Sequence, residues 1–344
     1  MPESRRIYSE MLYICAGQSN KKIIMNIRKV VVAGGGVLGS QIAFQAAYCG
    51  FDVTIWLRSQ GSIGRTQPKL DNLYKTYRET IEAMSGAKAD SVWAAGIADA
   101  DNFSAADCLT KAEKAYKGLK LELDMAKAVE DADLVIESMA ENADDKIAFY
   151  KTIAPLLPEK TILVTNSSTL LPSTFAKYTG RPEKYLSLHF ANSIWSHNTA
   201  EVMAQPLTAK ENFDAIIEFA KAIRMFPLPV LKEKSGYLLN SMLVPFLLSA
   251  LDLYVNGVSD PESIDIAWKK ATGAPNGPFE IFDTVGVATA YNIAIQYRKV
   301  PGLLSPLLRK MMMPYNFKGM ETTLKRMLDE GRTGKAAGEG FYKY

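Results

Sequence analysis

The sequence predicts an α/β domain with a doubly wound parallel sheet, followed by an all-helical domain. Three observations predict this. A β-branched run near the start ends in a glycine-rich turn and a helical pattern, short apolar strands then alternate with helical stretches, and the strand pattern stops after about Glu233. The 344 residues suffice for two domains of about 150 residues each.

The first predicted strand is the β-branched run from Ile27 to Ala33, which ends at three consecutive glycines. Val37–Cys49 then carries apolar residues three or four positions apart and ends before Gly50, as an amphipathic helix does. Short apolar runs predict further strands at 53–57, 119–123, 134–136, 162–164, 185–190, 200–203 and 228–231. Helical patterns cover 68–117 and, after the strands, 237–256, 261–272 and 287–297.

These elements predict three parts of the chain. Residues 1–24 form an N-terminal extension whose apolar patch, from Met11 to Gly17, is short for a signal peptide. Residues 25–232 form the sheet domain and 233–344 the helical domain. Polar residues such as Asn240 and Asp252 interrupt the apolar run Tyr237–Tyr254, so it predicts a buried or subunit-interface helix instead of a membrane span.

The composition limits the classes of binding partner and the cellular compartment that we expect for the protein. Lys and Arg total 40 and Asp and Glu 37, a net charge of +3 that predicts no nucleic-acid partner. The interrupted apolar runs predict no membrane partner. Three widely spaced cysteines make neither a disulfide framework nor a metal site, so we expect no metal and a reducing, cytoplasmic compartment.

A G-x-G-x-x-G pattern, with glycines at Gly34, Gly36 and Gly39, follows the first strand and opens the first helix. Gly34 makes the tight turn, Gly36 lets the backbone approach a pyrophosphate, and Gly39 lets the helix pack closely on the strand. The N–H groups at the helix start, at Val37 and Leu38, favour anionic phosphates. The pattern predicts a Rossmann-type domain that binds NAD or NADP; an ordinary glycine-rich turn is the alternative.

The end of the second strand bears on the choice of cofactor. An acidic residue there usually holds the ribose 2′-hydroxyl of NAD, but this position is Leu57, followed by Arg58 and Ser59. An arginine pairs with a 2′-phosphate instead, and Arg65 is a further candidate. The sequence therefore favours NADP over NAD without excluding NAD, and a solvated arginine at a strand end is the alternative.

Both histidines of the chain, His189 and His197, fall within nine residues of each other. His189 lies near the carboxyl end of an apolar strand, the edge at which doubly wound sheets bind ligands. Glu201 lies among apolar residues and needs a partner, because an unpaired buried charge is very costly. An imidazole is a natural partner, so His189 and Glu201 predict an acid/base pair; a structural histidine is the alternative. His197 lies in a polar stretch and is predicted to be a loop residue.

From about Arg28 to Tyr344 the sequence resembles the L-3-hydroxyacyl-CoA dehydrogenases, including bacterial 3-hydroxybutyryl-CoA dehydrogenases. The resemblance covers about nine-tenths of the chain. The matching residues are the glycine loop, Ile136, Glu137, Glu141, Asn142, Lys146, Thr165 to Ser168, Leu188 to Phe190, Asn192, Glu201, Gly236, Tyr237, Asn240, Leu243 to Pro245, Gly277 to Glu280, Asp283, Gly286 and Gly338 to Tyr342.

The resemblance implies a role for individual residues and a homodimer formed through the helical domain. His189 is implied to be the catalytic acid/base and Glu201 its orienting partner, with Ser168 and Asn240 holding the 3-oxygen of the substrate. The cofactor and substrate contacts around the nicotinamide ribose fall on Glu141, Lys146 and Asn192. Ser168 as a helix N-cap and Lys146 as a surface charge are the alternatives.

Two departures from the family pattern keep other functions open. The residues after the catalytic histidine are Phe190 to Ser193 (FANS), where the family has Phe-Phe-Asn-Pro. The family's residues that contact coenzyme A have no clear match here, and Lys75 and Arg78 are nearby candidates only. The resemblance favours an NAD(P)-dependent L-3-hydroxyacyl-CoA dehydrogenase with a short-chain acyl-CoA substrate. A dehydrogenase of a free 3-hydroxy acid or another small hydroxy acid, and a non-catalytic dinucleotide-binding sensor, are the alternatives.

Overall fold

A computed structural model describes residues 27–86, 89–298 and 315–344. The chain divides into two compact units, the first ending at Tyr237 and the second running from Leu238 to Tyr344. The predicted extension at residues 1–24 lies outside the described residues.

One eight-stranded sheet organises the first unit. Its spatial order is β3-β2-β1-β4-β5-β6-β7-β8, and every neighbouring pair is parallel except β6 and β7. The strand order reverses next to β1, which is where doubly wound sheets bind ligands. The predicted Rossmann-type sheet is confirmed. The strands are Lys29–Ala33 (β1), Asp52–Trp56 (β2), Lys120–Glu122 (β3), Leu134–Glu137 (β4), Ile162–Thr165 (β5), Tyr185–Phe190 (β6), Thr199–Ala204 (β7) and Phe226–Val230 (β8).

The central strands are apolar throughout because both faces of the sheet are covered. In β1, Val30 and Val32 join the core on one face, while Val31 and Ala33 join the core on the other. Successive side chains of a strand point to opposite faces, so a strand covered on both sides reads as a continuous apolar run. That run is what made β1 recognisable in the sequence.

Among the described strands, only β6 and β7 pair antiparallel, in a sheet that the sequence predicted as parallel and doubly wound. Residues 191–198 connect the two strands, and a parallel pair requires a crossover of about a dozen residues or more. The short connection therefore forces an antiparallel turn. In the resulting register His189 lies directly opposite Glu201.

Helices cover the sheet. The predicted helical stretch 68–117 is two longer helices and one short one, and the first of them begins already at Gln60 despite two glycines and Pro68. Its early turns are fixed by Thr66, which is buried and donates a hydrogen bond to the carbonyl of Gly35 at 3.1 Å. The helices are Val37–Tyr48 (α1), Gln60–Met84 (α2), Ala89–Val92 (α3), Ala105–Gly118 (α4), Met125–Val129 (α5), Ala143–Ile153 (α6) and Lys210–Ala222 (α7).

The described part of the second unit is helical, as predicted. Two of its helices, α10 and α12, were not predicted, although α12 buries Phe317, Met320 and Leu324 at helical spacing. None of the described helices is long and apolar enough to span a membrane. The helices are Leu239–Val255 (α8), Pro261–Thr272 (α9), Pro278–Val285 (α10), Val287–Arg298 (α11) and Phe317–Asp329 (α12).

Candidate active site

His189 and Glu201 form a buried pair across β6 and β7. The Nδ1 atom of His189 lies 2.9 Å from Oε2 of Glu201, and the two residues are 4% and 3% exposed. Their pairing follows from the antiparallel register of the strands. A carboxylate at Nδ1 fixes the tautomer of the ring, which leaves Nε2 as the nitrogen that exchanges protons with a reacting group.

Ser168 lies at the other nitrogen of the same imidazole. It belongs to the loop that follows β5, and its Oγ is 3.1 Å from Nε2 of His189. No α-helix of the described chain begins at Ser168, so the N-cap alternative fails. Asn166, which received no role from the sequence, ties this loop to β6, because its Oδ1 accepts the backbone N–H of Phe190 at 3.1 Å.

Glu141 holds the loop that carries Ser168. Its Oε1 accepts the hydroxyl of Ser167 at 2.6 Å and both the backbone N–H and the hydroxyl of Thr169 at 2.8 Å. Burial by itself raises the pKa of Glu141, but these hydrogen bonds and the charge of Lys146 outweigh burial and lower it. The hydrogen bonds make Glu141 a positioning residue for the loop, a role that the sequence did not predict.

Lys146 lies beneath the site and not at its surface. Its side chain is fully buried, and its Nζ lies 2.6 and 2.7 Å from the two oxygens of Glu137, which is also fully buried. Glu137 further accepts the hydroxyls of Tyr150 and Thr165. The surface-charge alternative for Lys146 is wrong. The contact with the cofactor or substrate that the resemblance implied for Lys146 stays a prediction, and the burial of its side chain does not favour it.

The glycine loop has the shape that a dinucleotide needs. Gly34 has φ +120°, and a side chain on it or on Gly39 would overlap backbone oxygens. At Gly36 a Cβ atom would meet nothing within 4 Å, so open space faces this backbone. No side chain caps the N-terminus of α1, whose first residue Val37 is 61% exposed, while Leu38 packs against the core. The first N–H groups of α1 therefore lack a side-chain cap, as at helix N-termini that bind anions.

A cavity of about 210 Å³ extends from this loop to the end of β2. Arg58 and Leu57, two residues predicted to bind the cofactor, line it. The hydroxyl of Ser59 lies 3.1 Å from that of Ser62 at the start of α2, and Ser62 lines the cavity. The described lining residues include three cations and no carboxylate. The cations are Arg58, Arg65 and Lys69.

The remaining predicted residues lie in separate places. Asn192 is exposed in the β6–β7 connection, and His197 is an exposed loop residue there, as predicted. Asn240 is half-buried near the start of α8 in the second unit. The structure adds Glu137, Asn166, Tyr237 and Lys69 to the residues around the site. Glu137 and Tyr237 belong to the matched family motifs, but the resemblance gave them no role. Lys69 could not be predicted, because it is far from Arg58 along the chain and only the fold brings both residues to one cavity.

A Rossmann-type sheet with a glycine loop, and a histidine held between a carboxylate and a serine hydroxyl, are the parts of a nicotinamide-dependent oxidoreductase. Comparison with known proteins gives the family. Residues 29–234 match the NAD-binding domain of 3-hydroxyacyl-CoA dehydrogenase, and residues 236–344 match the C-terminal domain of that enzyme. The chain belongs to the 3-hydroxyacyl-CoA dehydrogenase family, as the sequence predicted.

Individual relatives agree with this family. The human mitochondrial hydroxyacyl-coenzyme A dehydrogenase is 31% identical over 329 residues, which cover 96% of this chain and 94% of that protein. The 3-hydroxybutyryl-CoA dehydrogenase of Clostridioides difficile is 31% identical over 83% of this chain and 93% of its own. Among solved structures, a diketoreductase described as acting on dicarbonyl compounds is 43% identical, with a TM-score of 0.75 over 92% of this chain and 99% of its own.

Proposed function

We propose that the protein interconverts a short-chain L-3-hydroxyacyl-CoA and the corresponding 3-oxoacyl-CoA with NAD(P). The observation that carries the proposal is the imidazole of His189, held by Glu201 at one nitrogen and facing the hydroxyl of Ser168 at the other. The family membership and the relatives named hydroxyacyl- and 3-hydroxybutyryl-CoA dehydrogenase support this substrate class.

The chemistry of the chain's own residues is proton transfer. In the oxidative direction Nε2 of His189 takes the proton of the 3-hydroxyl, and in the reductive direction it returns the proton to the 3-oxygen. Glu201 stabilises the imidazolium that exists while His189 carries the proton of the 3-hydroxyl. We propose that Ser168, with Asn240 of the second unit, donates hydrogen bonds to the 3-oxygen. A bound nicotinamide cofactor supplies the acceptor or donor of the hydride at C3.

For the cofactor we propose the glycine loop as the pyrophosphate site and a preference for NADP. The open space at Gly36 and the uncapped start of α1 support the first part. Arg58, Arg65 and Lys69 in one cavity at the end of β2 support the second, because a 2′-phosphate gains charge-assisted hydrogen bonds there and Leu57 offers the 2′-hydroxyl of NAD no acceptor. We further propose that Asn192 contacts the bound cofactor or substrate.

The test of this preference is kcat/KM for NADPH and NADH. One hydrogen bond to a charged group contributes about 1.5–3 kcal/mol, and about 1.4 kcal/mol is tenfold in affinity, so we expect NADPH to be favoured by about 10–100-fold. Leu57→Asp with Arg58→Gln is expected to move the preference toward NADH. Lys114→Gln, at an exposed position on α4 outside the cavity, is the control. A wild-type preference of tenfold for NADH contradicts the proposal.

A second candidate function is reduction of a dicarbonyl compound that carries no coenzyme A. The 43% identity with the diketoreductase favours it. The sequence also lacks a clear match to the family's residues that contact coenzyme A. The acid/base chemistry is the same for both candidates, since each moves one proton at a carbonyl oxygen and one hydride at its carbon.

Acetoacetyl-CoA compared with free acetoacetate and a simple β-diketone, each with NADH and NADPH, separates the two candidates. We expect kcat/KM to be highest for acetoacetyl-CoA. A higher value for either compound without coenzyme A selects the second candidate. Turnover of none of the three, despite cofactor binding, points to the non-catalytic alternative.

We also propose that the protein is a homodimer and works in a reducing compartment such as the cytoplasm. The apolar residues exposed on α8 and the family resemblance support the dimer. The two described cysteines, Cys49 and Cys108, are both unpaired, which supports the compartment.

A further inference from the structure

Tyr237, the last residue of the first unit, lies flat on the imidazole of His189. The two ring centroids are 4.5 Å apart, and the ring planes differ by 15°. The tyrosine is 1% exposed. Glu201 and Ser168 contact only the two nitrogens of the imidazole. By stacking at this distance and angle, Tyr237 covers one face of that ring.

The segment that carries Tyr237 also binds the loop that carries Ser168. The hydroxyl of Tyr237 donates to the carbonyl of Ser167 at 2.8 Å, and the backbone N–H of Gly236 donates to the carbonyl of Ser168 at 3.2 Å. The hydroxyl of Ser235 donates to the carbonyl of Thr169 at 2.8 Å. Three successive carbonyls of the loop are therefore bound by three successive residues, 235–237.

The backbone at this point is unusual. Tyr237 has φ +50° and Gly236 φ +81°. A residue with a large side chain rarely adopts a positive φ, and such a conformation persists only where the surrounding structure holds it. Here the hydrogen bond from the Tyr237 hydroxyl to Ser167 and the stacking on His189 hold the positive φ. That backbone conformation in turn allows the ring to lie over the imidazole.

We propose that Tyr237 is a positioning residue for catalysis, which fixes the plane of the His189 ring and the position of the Ser168 loop together. The hydrogen bonds at its two nitrogens define where those nitrogens lie, but they resist tilting of the ring weakly. A stacked ring opposes that tilt. Nothing in the family resemblance assigned a role to Tyr237. The inference rests on the proposed function, because it takes His189 to be the acid/base.

Two variants separate the contribution of the Tyr237 ring from that of its hydroxyl. Tyr237→Phe keeps the ring and loses the anchor on Ser167, whereas Tyr237→Leu loses both and keeps the site apolar. A misplacement of about 1 Å at a reacting group can cost about 100-fold in rate. We expect kcat of Tyr237→Leu to fall at least about tenfold below that of Tyr237→Phe, with KM for the cofactor little changed.

A spectroscopic measurement tests the stack without any substrate. The chain has two histidines, so protein labelled at histidine gives two sets of imidazole signals, and His189→Gln assigns them. The ring current of the stacked tyrosine shifts the His189 signals upfield. We expect these signals to move downfield in Tyr237→Leu and to stay nearly in place in Tyr237→Phe, with the His197 signals unchanged in both.

Tyr48→Leu is the matched control. Tyr48 is also buried in the first unit, and its hydroxyl also donates to a backbone carbonyl, that of Ile97 at 3.1 Å. We expect this variant to lose thermal stability and to keep both kcat and the His189 signals. If Tyr237→Leu does not fold, contacts between the His189 protons and a tyrosine ring in the wild-type protein, absent in Tyr237→Phe, give the same answer.

Three results overturn the inference: unchanged His189 signals in Tyr237→Leu, a kcat for that variant within twofold of wild type, or equal losses in the leucine and phenylalanine variants. The proposed function fails in a different way. In that case the wild-type protein turns over none of the hydroxyacyl or dicarbonyl substrates, while the histidine spectra still report whether the rings are stacked.

Discussion

His189 and His197 differ only in their surroundings. His189 is buried between a carboxylate, a hydroxyl and a stacked tyrosine, whereas His197 is exposed in the connection between β6 and β7. Proton transfer to a substrate requires a nitrogen whose tautomer and direction are fixed. Only His189 meets that requirement, and the two residues therefore form a natural pair of test and control.

We expect His189→Gln to lower kcat by at least about 100-fold, because positioned acid/base catalysis contributes about 10²–10⁴-fold. Cofactor affinity should change little, since the glycine loop is a separate element. Glu201→Gln should also lose much of the rate, because the imidazolium loses its charged partner. His197→Gln is expected to keep the wild-type rate. A His189→Gln variant with a tenth of the wild-type activity contradicts the assignment.

Glu141 predicts a pH dependence of stability. Its pKa in the folded protein is lowered from the ordinary value of 4.5, so the folded state binds its proton less readily than the unfolded chain does. The stabilisation is fully present above about pH 4.5 and is lost as the pH falls through the lowered folded-state pKa. It amounts to about 1 kcal/mol, below the usual range for hydrogen bonds to a charged group, because the side chain is 36% exposed and solvent screens its charge.

Thermal unfolding of Glu141→Gln against pH tests this. We expect its Tm to lie below that of the wild-type protein at pH 7, and the difference to shrink once the pH falls below the ordinary pKa of Glu141. Glu159→Gln, at an exposed position, should follow the wild-type curve throughout. A difference in Tm that stays constant down to pH 3 is incompatible with an ionised Glu141 as the source.

At the scale of elements, the buried pair of Glu137 and Lys146 joins the end of β4 to α6 beneath the Ser168 loop. Removing one partner of such a pair leaves an uncompensated buried charge and costs about 3–5 kcal/mol. We expect Lys146→Met to lower the free energy of unfolding by that amount in urea titrations. Replacing Glu137 as well, with Gln, should restore much of the loss, because no buried charge remains.

Lys114→Met serves as the control for the pair. Lys114 is exposed on α4, where a substitution is expected to stay within about 0.5 kcal/mol. A Lys146→Met variant as stable as Lys114→Met would mean that Lys146 does not compensate the charge of Glu137.

The order of the elements was predictable where the apolar pattern was continuous, as in β1, β4 and β5. Their residues are buried on both faces of the sheet, so each strand appears in the sequence as a continuous run of apolar, mostly β-branched residues. The antiparallel direction of β7 could not be predicted from such a pattern. It depends on the length of the connection between β6 and β7 and not on which residues are apolar. α12 was not predicted, although its apolar residues have helical spacing in the sequence.

The candidate site was predictable in part for similar reasons. His189 and Glu201 stood out because polar residues inside apolar strands need partners. The hydrogen bonds of Glu141, the burial of Lys146 and the stack of Tyr237 depend on how loops fold back over the strands, which periodicity does not encode. At the end of β2, Ser62 lines the cavity because of the course of the first turn of α2, which the sequence did not predict.

For the molecule as a whole, one face of α8 bears on assembly. Leu239, Met242 and Leu253 are 38%, 67% and 42% exposed, and their spacing places them on one side of the helix. Large apolar side chains gathered on one exposed face favour association. In a two-fold dimer both copies contribute the same face to the interface, so a charge introduced there is present twice in one contact.

Light scattering at micromolar concentration tests the dimer. We expect the wild-type mass to be twice the 37.9 kDa of one chain. Met242→Lys with Leu253→Lys should shift the mass to that of a single chain, because two pairs of like charges then meet in an apolar contact. Leu207→Lys, at a position 61% exposed in the first unit, should leave the mass unchanged. A monomeric wild-type protein contradicts the dimer, whereas a dimer that survives the double substitution moves the interface away from α8.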